Sequence, residues 1–135
     1  MLRPLLTLVL LSSATGMANA QQAPDCSNAA TQMEITQCAY QEWQATDAEL
    51  NTVYKSAMTN MRALDSDLSE HLKGAADALQ DAQRAWLPYR DKACQSYGFL
   101  ARGGTMEPML VNICLAQLTR QRVKELKEIA EGLGN

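Results

Sequence analysis

The sequence predicts an all-α protein: an antiparallel bundle of three long helices, the second kinked at a proline, with two disulfides. Three observations predict it. Apolar residues recur at three- and four-residue steps over long stretches, no stretch alternates as a strand does, and four cysteines are spaced to staple local loops onto the helices. The breaks between the stretches are short. Short connections place successive helices side by side in an up-down-up order.

The chain opens on an export signal. Arg3 gives a small positive start, Leu5 to Leu11 an apolar run, and Ala18-Asn19-Ala20 an A-x-A cleavage site. Residues 1–20 are therefore expected to be cleaved, with the mature chain starting at Gln21. The run falls short of the ~20 apolar residues that span a bilayer. No cysteine lies at the cleavage point, so no lipid anchor is expected. The expected location is the periplasm or the exterior.

Residues 21–135 read as a single domain, long enough to build its own core. The chain carries 12 basic and 15 acidic residues. Loss of Arg3 with the leader leaves a net charge of about −4, which argues against nucleic acid and mildly favours a cationic partner.

Four cysteines in an exported chain read as two disulfides, with three possible connectivities. The sequence neighbours, Cys26 with Cys38 and Cys94 with Cys114, are favoured because each bond would staple a local loop onto a helix. Loops of this length are worth roughly 2–3 kcal/mol each in the chain-entropy model. A metal site is the alternative. The spacings are not C-x-x-C and the single histidine, His71, is distant and on an exposed-looking turn.

The elements follow in order. Pro24 and Asp25-Cys26-Ser27-Asn28 are turn chemistry. Thr31 and Glu34 make a capping box for the first helix. Trp43, Leu50, Val53, Ala57, Met61 and Leu64 mark its apolar face, and Asp65-Ser66-Asp67 ends it. Asp67 with Glu70 reads as a second capping box, opening a helix from about Leu68 to about Tyr97. Its stripe is Leu68, Leu72, Ala75, Leu79, Ala82, Trp86, Tyr89 and Ala93. Gly74 weakens it by about 1 kcal/mol relative to alanine, and Pro88 is expected to kink it near Arg84. Residues 98–104 break the pattern. Thr105 is placed to cap a third helix with Pro108 in its first turn. Val111, Leu115, Leu118, Leu126, Ile129 and Leu133 mark its buried side. Arg120, Arg122, Lys124 and Lys127 lie toward its C-terminal half, where they suit the macrodipole. Gly132 and Gly134 end it. The many methionines read as adaptable core filler.

Two groups of residues stand out. Asp47, Asn51 and Tyr54 share a face of the first helix, and Gln83, Trp86 and Arg90 share a face of the second. Arg90 offers a planar fork and Asp47 a carboxylate that fits it. The set forms either a polar pocket or, more in keeping with a bundle interior, a satisfied network that fixes helix register. The second group is Arg102, Gly103, Gly104, Thr105 and Glu107. If Cys94 bonds Cys114, this loop is tied at its base and ready to enter a partner's cleft at low entropy cost. The plain reading is a helix–helix turn with positive φ at the glycines. Cys94 is expected to face outward as the loop's anchor.

No motif announces a reaction. Carboxylates are plentiful but scattered, no serine sits in a nucleophile elbow, and the glycines form no phosphate loop. The chain does not read as an enzyme, and no cofactor is implied. An acid–base enzyme remains a remote third reading, which two carboxylates facing one cleft would raise.

Three segments resemble the DUF1311 family, also called the LprI-like lysozyme inhibitor N-terminal domain. Residues 47–54, DAELNTVY, are similar to the family's D-x-x-L-N-x-x-Y segment. Residues 83–91, QRAWLPYRD, followed by Cys94, are similar to its Q-x-x-W-x-x-Y/F-R-D-x-x-C segment. Gly103-Gly104-Thr105, Cys114, Leu118-Thr119, Arg122 and Leu126 resemble its glycine turn and closing helix. The likeness covers nearly all of residues 26–126. It implies a small exported helical protein with paired cysteines. The family's name comes from a mycobacterial lipoprotein reported to inhibit lysozyme, whose lipid-bearing cysteine this chain lacks. The resemblance transfers no inhibitory residue set.

The leading functional expectation is thus an inhibitor that occludes the cleft of lysozyme-type glycoside hydrolases, whose chemistry uses two carboxylates. Arg102 and the amides of Gly103 and Gly104 are the candidate donors to those carboxylates, with Thr105 and Glu107 alongside. The alternative is a non-inhibitory structural or protein-interaction module of the cell envelope.

Overall fold

The computed structural model describes residues 24–132. The leader over 1–20, the cleavage point before Gln21, and Leu133 and Gly134 lie outside the described residues. Within them the chain forms three helices: α1 Gln32–Asp67, α2 Ala75–Gly98 and α3 Glu107–Glu131. Single 3-10 turns occupy Glu70–Leu72 and Phe99–Ala101. No strand occurs among the described residues.

α1 begins where its capping box places it. The Thr31 hydroxyl accepts from the Glu34 amide at 3.2 Å, and a Glu34 carboxylate oxygen accepts from the Thr31 amide at 2.9 Å. The Thr31 amide first, then the Thr31 hydroxyl and the Ala30 amide, bond the Glu34 carboxyl and hold it below the usual range. With no glycine or proline inside, the helix continues to Asp67.

α2 starts seven residues later than the sequence pattern suggests. Gly74 has φ 133° and forms the N-cap, a conformation that ends any helical run through it. The expected Asp67–Glu70 capping box does not form. Asp65 caps α2 from the end of α1 instead, its carboxylate accepting from the amides of Gly74 (2.9 Å), Ala75 (2.9 Å) and Ala76 (3.0 Å). Glu70 pairs with Lys73 at 2.8 Å. Leu68 and Leu72 therefore leave the proposed stripe, and Leu72 is exposed. Ala82 and Tyr89 are exposed as well. The buried face of α2 is Leu79, Gln83, Arg90, Cys94 and Gly98. The helix passes through Pro88 without interruption.

α3 also departs from its expected start. Thr105 makes no cap; Met106 occupies the N-cap without a side-chain bond, and Pro108 lies in the first turn. Gly132, with φ 75°, ends the helix. No basic residue sits in the last turn. The cations suggested to complement the dipole pair sideways instead: Arg120 with Glu42 and Lys127 with Glu49 across to α1, Arg122 with Glu125 on α3 itself.

Cross-helix bonds give the topology. Arg90 meets Asp47 and Ala75 meets Asp65, so α2 runs antiparallel to α1. Gln32 reaches the Met109 sulfur near one end and Asn60 the Ile129 carbonyl near the other, so α1 and α3 run parallel. The α1–α3 interface is the most extensive, and α2 leans more on α3 than on α1. Leu50, Ala57, Met58, Leu79, Val123 and Leu126 form the core, with Val53, Tyr54, Met61, Trp86 and Ile129 packed against it. Burying a leucine side chain of this kind contributes about 1.5–3 kcal/mol. Leu64, placed on the apolar face of α1 by its spacing, is exposed beyond the reach of α3. Both disulfides form between sequence neighbours, Cys26–Cys38 and Cys94–Cys114, with Cα–Cα separations of 5.6 and 5.3 Å. Cys94 faces inward and is fully buried, not outward.

Candidate functional site

Two features carry the residues singled out by sequence. The first is a stack through the middle of the bundle. Arg90 is buried, and its Nη1 donates to Asp47 Oδ1 at 2.7 Å and to the Thr119 hydroxyl at 3.5 Å. Its Nε donates to Asp91 Oδ1 at 2.9 Å. The guanidinium carbon lies 5.3 Å from the Trp86 ring centroid and 6.0 Å from that of Trp43. Arg122 lies 6.0 Å from Trp86 and donates from Nε to the Gln83 side-chain oxygen at 3.1 Å. Tyr40 meets Trp43 edge-on at 5.7 Å. Cations and aromatic rings thus alternate across all three helices, an arrangement favoured where water is excluded.

The Asp47–Arg90 pair is the one the residue types suggest. The other members divide. Asn51 folds back onto its own helix, donating to the Asp47 carbonyl at 2.9 Å. Tyr54 packs against the apolar core. Gln83 turns to α3, not to α1. Trp43, Thr119, Arg122 and Asp91 complete the network and were not assigned to it by sequence. For Trp43 a signal exists: it sits four residues before Asp47, as Trp86 does before Arg90, so each aromatic shares a face with a charge. The buried Trp43 indole N–H has no hydrogen-bond partner. Its ring is held by stacking and packing, not by that donor. The network is bonded internally and spans three helices, which suits it to fixing their register.

The second feature is the loop between α2 and α3. Its base is closed by Cys94–Cys114 and by close packing at Gly98, where an added Cβ would lie 2.5 Å from Val111 Cγ2. Gly98 is helical and serves this approach. Of the turn glycines only Gly103, at φ 78°, needs the left-handed region. Glu107 clamps the turn: its Oε1 accepts from Arg102 Nη1 at 2.6 Å and its Oε2 from the Gly103 amide at 2.9 Å. The Gly103 amide first, and Arg102 second, hold the Glu107 carboxyl below the usual range. The Gly104 amide donates to the Ala101 carbonyl at 2.9 Å. Both amides expected to serve a partner's carboxylates are therefore already bonded within the loop. Thr105 is exposed and caps nothing. The guanidinium of Arg102 lies 4.5 Å from the Phe99 ring centroid. Phe99, Leu100 and Met106, which the sequence did not mark, are exposed around it.

A family model described as "Lysozyme inhibitor LprI" matches residues 25–126. The chain belongs to the LprI family. The family is one of inhibitors. A protein of Rhizobium meliloti (strain 1021) described as uncharacterized is 51% identical over 132 residues, covering 95% of each chain. The crystal structure of a DUF1311 family protein from Pseudomonas putida KT2440 matches with a TM-score of 0.63 at 22% identity, covering 78% of this chain and 97% of that one. At that identity the likeness establishes the helical fold. Among the described residues no helix is long and apolar enough to cross a membrane, and no group of three or more metal-ligating side chains is placed to hold an ion.

Proposed function

We propose that this LprI-family protein is an exported inhibitor of lysozyme-type glycoside hydrolases and acts by placing the α2–α3 loop in the enzyme's cleft. The observation that carries the reading is the prior order of that loop. A disulfide, a left-handed glycine and the Glu107 clamp fix residues 98–107 before any partner arrives. A loop already ordered binds without the entropy cost of ordering it. Arg102, Gly103, Gly104, Thr105 and Glu107 form its turn.

Family membership and two disulfides support an extracytoplasmic role. The leader over residues 1–20 would deliver the mature domain, 21–135, to the periplasm or beyond. Its mild acidity suits encounter with a cationic lysozyme, at a rate that falls with salt. The deciding measurement is a cell-wall turbidity assay with purified mature protein against c-type, g-type and phage-type lysozymes. Slowed lysis by at least one is the expected result. Full rates for all three at micromolar excess would leave a non-inhibitory envelope module as the better account.

A further inference from the structure

We propose that the surface meeting the partner is an apolar knob, Phe99, Leu100 and Met106, seated against the apolar wall of the hydrolase's sugar-binding cleft, with the polar turn of residues 102–107 as its support. The inference rests on the cleft-occluding reading above. Phe99 is 53%, Leu100 75% and Met106 47% exposed, at the disulfide-closed end of the bundle. Several of the neighbouring polar groups are already bonded within the loop. The Gly103 amide and Arg102 bond Glu107, the Gly104 amide bonds Ala101, and the Arg102 charge is paired and stacked on Phe99.

Those bonds decide what the loop can offer. Drawing the Gly103 or Gly104 amide to a partner would break a bond it already makes. Burying the three apolar side chains breaks none of these bonds, which keeps the desolvation penalty low. Binding clefts are walled mainly by apolar and aromatic side chains with a few placed polar groups. A knob on a fixed loop fits such a concave wall. The overall acidity of the chain then governs encounter, and the knob governs residence.

The test uses the full mature chain and whichever lysozyme it inhibits. Leu100→Asp is expected to weaken inhibition about tenfold or more, the scale of losing one buried leucine contact. Leu100→Ser is expected to do the same to a lesser degree. Leu72→Asp is the control, because Leu72 is 59% exposed at the opposite end of the bundle. It is expected to inhibit like wild type. Dissociation of the wild-type complex is expected to change by less than about twofold across a several-fold rise in salt, while association slows. Wild-type inhibition by Leu100→Asp, or an equal loss in Leu72→Asp, overturns the knob and leaves the inhibitor reading standing. A wild-type protein inactive against all three lysozymes overturns both.

Discussion

Arg90 is the residue on which most of the internal polar structure depends. Its side chain is 7% exposed, and a charge that deep persists because Asp47, Asp91, Thr119 and two indole rings surround it. Removing Asp47 leaves the charge with Asp91 alone as a counter-ion. Asp47→Ala is expected to cost about 1–3 kcal/mol of stability, less than a fully orphaned charge would. Urea unfolding measures it, and a variant that melts like wild type would exclude the register role. Gly98 makes a different residue-scale case. Its conformation is ordinary helix, so the demand for glycine comes from Val111 packed over it. Gly98→Ala is expected to cost about 1–3 kcal/mol through overpacking. The double variant Gly98→Ala with Val111→Ala should recover part of that loss, which separates crowding from any effect on the turn.

At the scale of elements, Asp65 links α1 to α2. One carboxylate accepting three successive amides does the work of a local cap residue while belonging to the preceding helix. The amides of Ala76, Ala75 and Gly74, in that order, hold its carboxyl below the ordinary 3.8. A depressed carboxyl contributes stability that is present above the unfolded value and lost as pH falls through the folded one. Asp65→Ala is expected to lower the melting temperature near neutral pH by about 5 °C. The gap between variant and wild-type curves should close as pH drops well below 3.8, with thermal melts from pH 7 to pH 2 as the measurement. A gap unchanged at low pH would mean that the carboxylate bonds are not its source. This element also shows what a linear reading can reach. The start of α1 was legible because its capping box is local. The start of α2 was not, because its cap lies nine to eleven residues upstream and acts through folding. Asp47–Arg90 was legible from complementary chemistry at matching helical steps. Arg122 and Thr119 were hidden because α3 packs closely on both other helices, a choice of partners that periodicity does not encode. The exposure of Phe99, Leu100 and Met106 was hidden because a short turn has no periodicity from which burial can be read.

For the whole molecule, the two ends of the bundle are built differently. The end formed by the start of α1, the end of α2 and the start of α3 carries both disulfides and the ordered loop. The other end is held by the Asp65 cap and the Asn60–Ile129 contact, without a covalent link. Each disulfide closes a short loop, 12 or 20 residues, and contributes about 3 kcal/mol in the chain-entropy model. Similar stabilities do not imply similar roles. Cys26 is exposed, whereas Cys94 is fully buried beneath the loop. Mild reductant should therefore open Cys26–Cys38 first, by access of the attacking thiolate. Paired serine variants separate stability from loop order. Cys26→Ser/Cys38→Ser is expected to lower stability while leaving hydrogen exchange at residues 99–106 unchanged. Cys94→Ser/Cys114→Ser is expected to lower it similarly and to speed exchange across that same segment. If both pairs leave the loop equally protected, Gly103 and the Glu107 clamp alone hold it. If both loosen it equally, the order of the loop follows global stability, and the buried disulfide has no special part in presenting it.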